Sequence, residues 1–258
     1  MKRRSLVAIG LAIYALGVIA IAPATLIDAG LQRISHGKLR LVEVQGTLWS
    51  GSGQIEIRDS GGRAGAAKSL GWRMLPESLL RGHMVFDVQA EQSGKTFPVT
   101  LSLSGVELAN ADISLPAAAL GLGVPTLAPL GLTGDILLHI ASLSIEGRQV
   151  QGKVMVWLRD AGSVFTPVSP LGDYELNLDG DGATVHVLLR TLKGPLRLDG
   201  KGSWVIGNNP DFLAIAHVPP QHLEQLGPLL RLIAVERGAG SFELRLNHQA
   251  VPTAAALN

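Results

Sequence analysis

Ser50 and Ser52 stand in GTLWSGSG, residues 46–53, and a serine among glycines suggests two kinds of chemistry. One is acyl transfer, which needs the G-x-S-x-G elbow on a strand-to-helix turn. The other is phosphate binding, which needs G-x-x-x-x-G-K-[ST] or a glycine loop opening a helix. Neither pattern is met: no Lys follows, and the stretch runs into another alternating segment, QIEIR. The glycines of GLGVPT (121–126), GDGATV (180–185) and GKGSWV (200–205) likewise lack the helix that a dinucleotide loop requires. Asp179 to Gly182, DGDG, lacks the later ligands and the closing Glu of a calcium loop. The seven histidines, at 36, 83, 139, 186, 217, 222 and 248, show neither H-E-x-x-H nor H-x-H spacing. No carboxylates pair in a shared apolar setting. The chain has no Cys, which excludes thiolate nucleophiles, Cys-ligated zinc, disulfides and a lipid-modified cysteine. The residues therefore predict no catalytic site, no metal and no cofactor. An esterase using Ser50 or Ser52 is the weakest of the alternatives.

The other reading of GTLWSG is a tight corner between strands. Gly46 and Gly51 then supply unusual backbone angles and Trp49 packs over an apolar face. Trp49, Trp72 and Trp204 each stand beside Gly or Ser-Gly near a strand end. Their plain role is core or edge packing. Their sharper role is as partner-binding anchors, because Trp is enriched at interface hot spots. These three are the candidate site residues.

The elements that must position them are mostly strands. After residue 37 the apolar residues alternate with polar ones. Leu39 and Leu41, Ile55 and Ile57, and Met84, Phe86 and Val88 follow this rule. So do Ile136, Leu138 and Ile140, then Tyr174, Leu176 and Leu178, and Val185, Val187 and Leu189. Such runs predict antiparallel strands with one buried and one wet face, joined by glycine turns such as SGVE and LDGDG. A closed sandwich, a barrel and an open groove are all compatible with them. Helices are few. Pro76–Leu80 and Pro116–Leu120 read as single Pro-led turns, and PPQHLEQLGPLLRLI (219–233) reads as a helix interrupted at Gly227-Pro228. A weak internal echo predicts two β-meander halves, 38–145 and 146–247.

The N-terminus differs in kind. Lys2, Arg3 and Arg4 precede residues 5–27, which carry no charge. As a helix that run spans roughly 34 Å, enough for a hydrocarbon core of about 30 Å. It is read as a transmembrane helix, with residues 1–4 a cytoplasmic basic tip and the rest of the chain exported. A cleaved signal peptide is the alternative, since Ala22-Pro23-Ala24 loosely fits a cleavage site. Residues 28–37 are then a juxtamembrane linker, 38–247 a periplasmic β-rich domain and 248–258 a flexible tail. Net charge is +1 and aromatics are 4%, so no basic, aromatic-interleaved surface points to nucleic acid.

In this order the motifs resemble protein N of the bacterial type II secretion system. The resemblance rests on the basic start and single anchor, then PATLI, VQGTLWSGSG and LGWRMLPESLLRGHM. IEGRQVQGKVMVWLRDAG, SPLGDYEL, GPLRLDGKGSWV and the Pro-led C-terminal helix with its final strand complete it. It implies a single-pass inner-membrane protein with a curved, antiparallel periplasmic β-domain and no catalytic residues. Its implied partners are the inner-membrane platform proteins and the outer-membrane secretin. From another class, an AsmA-like envelope protein that holds or transfers lipid along an apolar β-groove also fits the pattern.

Overall fold

The computed structural model describes residues 10–11, 13–14, 17–18, 20–35, 37–58, 64–90, 94–208, 210–238 and 240–246. The expected tip 1–4 and tail 248–258 lie outside these, as do residues 5–9, 12, 15, 16 and 19 of the expected span. No helix of the described residues is long and apolar enough to cross a membrane. The described part of that span exposes Leu11, Ile13, Tyr14, Val18 and Ile21. The chain is mainly β and antiparallel, with a few short helices, and forms two compact units, Met1–Leu103 and Ser104–Asn258. The expected repeat boundary near residue 145 falls at the tip of a long hairpin in the second unit.

In the first unit, helix α1 (Thr25–Ile34) precedes an antiparallel meander. Its strands are β1 (Leu39–Gly46), β2 (Ser50–Arg58), β3 (Ala64–Leu75), β4 (Met84–Ala90) and β5 (Thr96–Leu101). Helix α1 occupies most of the segment expected as a linker. Ala24, Leu41, Trp72, Met74 and Phe86 are buried together, with Ile27 and Leu31 of α1 packed on them. The alternation put Leu41 and Phe86 on one face; α1 supplies the layer that covers them.

The second unit pairs nine strands in the order β6, β7, β8, β9, β10, β11, β12, β14, β13. They are β6 (Gly105–Pro116), β7 (Leu132–Glu146), β8 (Gln149–Ser163), β9 (Gly172–Gly182) and β10 (Thr184–Lys193), then β11 (Arg197–Val205), β12 (Asp211–His217), β13 (Val235–Gly238) and β14 (Ser241–Leu246). The two ends of this sheet differ. One end carries helix α2 (Ala119–Gly123), the loop 164–171 and helix α3 (Leu223–Leu230). The other end has short hairpins at 146–149, 182–184 and 205–211. At the helical end Leu226 and Leu230 of α3 bury against Leu171, Leu196, Ala216, Val218 and Phe242.

Register builds continuous apolar rows across one face. Val156 lies opposite Leu138 and Leu176, and Leu176 lies opposite Leu189. Val154, Leu178 and Val187 form the next row. Toward the hairpins, Val185 lies opposite Trp204. These apolar residues of the middle rows are half-buried, shielded on their sides by the neighbouring strands. Irregularities keep the rows in phase. In β7 the register shifts between Ile140 and Ser142, which returns Leu143 and Ile145 to the apolar face.

The opposite face carries the charged and polar groups, interspersed with Leu137, Met155, Trp157 and Leu188. His139 Nδ1 lies 2.7 Å from Asp112 Oδ1, and the Trp157 indole N–H donates to Glu175 Oε2 at 3.0 Å. Asp173 is 3% exposed; it accepts the Asp160 N–H at 2.8 Å and pairs with Lys193 at 3.2 Å and Arg159 at 3.6 Å. Burial raises its pKa, but these donors outweigh burial and hold the carboxyl below the usual range. Glu175 is held low as well, first by the Asn177 side chain, with Trp157 and Arg190 adding to it. Two buried carboxylates are thus committed to cross-strand ion pairs.

Candidate functional site: the tryptophan corner and the leucine turn

GTLWSG is a corner between β1 and β2. Gly46 has φ of 93°, in the left-handed region, and a Cβ there would lie 2.4 Å from the Ser50 carbonyl oxygen. The Thr47 N–H donates to that carbonyl at 2.9 Å, and Thr47 Oγ1 accepts the Ser50 N–H at 3.2 Å. Gly51 lies opposite Trp72, and a Cβ on it would come within 2.6 Å of the indole Cζ2. The second glycine therefore makes room for a tryptophan, while its own backbone angle is ordinary. The Trp72 indole N–H donates to the Thr47 carbonyl at 3.2 Å, and Met74 N–H donates to the Trp49 carbonyl at 2.7 Å.

The corner also receives the chain that leaves the apolar N-terminal segment. Leu48 N–H donates to the Ala22 carbonyl at 2.8 Å, and Pro23 forms an antiparallel bridge with Thr47. Helix α1 begins two residues later and is tied to the sheet by Asp28. That carboxylate accepts the Leu41 N–H at 2.8 Å, the Gln32 amide at 2.7 Å, and Arg40 Nε and Nη2, each at 3.2 Å. Burial opposes its charge; the Leu41, Arg40 and Gln32 donors prevail and keep its pKa below the usual range.

At the same end of the unit, β3 and β4 are joined by a 3-10 turn, Pro76–Arg81. Ser78 is buried in it. Its Oγ donates to the Leu75 carbonyl at 2.6 Å and accepts the Val85 N–H at 3.0 Å. Gly82, at φ 78°, closes the turn. The result is a braced loop that presents Leu79 and Leu80 outward, 48% and 92% exposed. Composition alone left these leucines as part of a Pro-led turn. The readable signal is that a six-residue turn between strands has no second face on which to bury both.

The three candidate tryptophans go to different environments. Trp72 is 6% exposed, at the centre of the first unit's core. Trp49 is half-buried against the same core. Trp204 lies in the second unit, 42% exposed on the apolar sheet face, and its indole N–H donates to the Asn208 carbonyl at 2.9 Å. The structure brings Trp49 and Trp72 together as the frame of the corner. Among the described residues no three His, Asp or Glu side chains are grouped so as to hold a metal ion. What this end offers is apolar contact: a stiff pair of leucines beside the point where the N-terminal segment joins the sheet.

No curated protein and no solved structure is similar enough to match the chain. The family model for type II secretion system (T2SS) protein N matches residues 37–245, from just before β1 into β14. That family is an accessory component of type II secretion and is not known as an enzyme family. This chain belongs to the type II secretion system protein N family.

Proposed function

We propose that the protein is a non-enzymatic accessory component of the secretion machine, held in the inner membrane by residues 5–27. Residues 1–4 face the cytoplasm and the β-rich domain 38–247 works in the periplasm. It contacts the inner-membrane platform proteins through the leucine turn and reaches the outer-membrane secretin by the same domain. One observation carries this reading: Leu79 and Leu80 are held outward on a braced turn. That turn is at the end of the unit where the chain from the apolar segment is bonded to GTLWSG. Exposed leucines on a rigid support lose little entropy on binding, which favours an interface. The test is a photo-reactive residue at position 80 in cells that secrete by this route. Adducts with platform subunits support the reading. Adducts from position 80 that persist with Leu79→Asp, together with intact secretion in Leu79→Asp/Leu80→Asp, would contradict it.

A second reading is that the second unit holds lipid. The observation in its favour is the half-buried apolar face of β7 to β10. A scaffold with a closed core would bury those residues fully.

A further inference from the structure

Along β7 to β10, the charge at the apolar face of the second unit lies at the hairpin end; at the helical end Arg231 and Glu236 pair with each other near α3. Between α3 and the hairpins the floor of that face is Val154, Val156, Leu176, Leu178, Val187 and Leu189, all half-buried. From Tyr174 to Gly182 the floor runs about 26 Å along β9. One acyl chain spans about half of a 30 Å hydrocarbon core, roughly 15 Å. At the helical end α3 packs beside this floor, on Leu171, Leu196, Ala216, Val218 and Phe242.

At the hairpin end, Arg148 in the β7–β8 turn reaches the β11–β12 turn. A Cβ on Gly207 would sit 3.3 Å from Arg148 Nη2. On a flat sheet β8 and β11 are three strand spacings apart, about 14 Å. The Arg148 side chain therefore reaches past the β9–β10 hairpin to the β11–β12 turn, and its guanidinium lies across this end of the sheet. Arg148 has no carboxylate partner among the described residues. The acidic residues of this end, Glu146, Asp179, Asp181 and Asp211, occupy strand positions of the opposite face. Asp179 and Asp181 are engaged there by Lys153 and His186. The apolar face thus ends in an unpaired cation, with the carboxylates segregated away from it.

We propose that this face is a trough for one anionic phospholipid, its acyl chains on the β7–β10 floor and its phosphate at Arg148. The proposal rests on the second reading above. A guanidinium recognises a phosphate by paired N–H donors, and an apolar floor favours the chains without regard to the headgroup. A zwitterionic lipid brings the same phosphate but its own cation offsets it, so net charge favours an anionic lipid at Arg148, and a protein strand would bring no phosphate.

The full-length protein in mild detergent is labelled with a phosphatidylglycerol carrying a photo-reactive acyl chain, and in parallel with the phosphatidylcholine equivalent. Labelled peptides are mapped. The expected result is adducts on β8–β10 with the anionic probe. Arg148→Glu should lower that labelling about tenfold, and Arg148→Lys should retain most of it. Equal labelling by the two lipids, unchanged in Arg148→Glu, overturns the assignment of Arg148 while leaving an apolar trough. Label confined to residues 5–27 overturns the trough itself. Leu176→Glu, checked by circular dichroism for an intact sheet, should abolish labelling of the floor; persistence of that label also overturns it. Each of these results is independent of whether the protein supports secretion.

Discussion

Leu80 and Asp28 show how differently single residues contribute. Leu80 has almost its whole side chain in water, so Leu80→Asp should change stability by less than about 0.5 kcal/mol. Thermal melts of the variant and parent should therefore coincide, while the position-80 contacts and secretion are lost. Asp28 is the reverse case, partly buried beneath donors from α1 and β1. Asp28→Asn should cost about 1–2 kcal/mol, since a charge-assisted bond to the Leu41 N–H becomes a neutral one. Its pKa is depressed in the folded state. Its contribution is therefore complete above the ordinary value of 3.8 and disappears as pH falls through the lower folded value. Hydrogen exchange at the Leu41 amide should report this: protection declines in acid in the parent and is weak at all pH in Asp28→Asn. Trp72→Ala removes a buried ring and the brace on the Thr47 carbonyl. It should cost about 3–5 kcal/mol and loosen the corner.

Among elements, the strands were legible because alternation with period two needs no partner to be read. Phe86, Tyr174 and Val187 all point where that pattern put them. The turn at Pro76 was legible from proline chemistry. The helix expected within 219–233 is present as α3, but the interruption expected at Gly227-Pro228 is not: the helix runs unbroken through both residues. Helix α1 was not legible. Its first residues, Thr25 to Ile27, continue the uncharged run, so apolarity masked an amphipathic start that Asp28 and Leu31 define. The return of Leu143 and Ile145 to the apolar face was hidden by the bulge in β7, which reverses parity within one strand. The ion pairs of Asp173 were hidden because they depend on register across β8, β9 and β10. Asp173→Ala would leave the Asp160 N–H unpaired at a residue with φ of 47°. Lys193 and Arg159 are largely solvated, so their share is small. The expected loss is about 1–3 kcal/mol, read from urea titration. It should shrink as pH falls below the usual Asp value, because the parent loses the same charge there.

For the molecule as a whole, the two units divide the proposed work. The first carries the corner that receives the N-terminal segment and the leucine turn; the second carries the apolar face that ends at Arg148. Of the candidate residues, Trp49 and Trp72 act as frame, and Trp204 stands on the rim of the second unit's apolar face. Family membership could be read from ordered short motifs. The proposed contact surface could not, since exposure of Leu79 and Leu80 follows from how β3 and β4 close around Ser78. The central claim is that the protein acts by contact at its leucine turn. Photo-crosslinking from position 80 in secreting cells tests it most directly. The account predicts adducts with platform subunits that vanish when position 79 is changed to Asp. Absence of such adducts, with secretion intact in Leu79→Asp/Leu80→Asp, would contradict it.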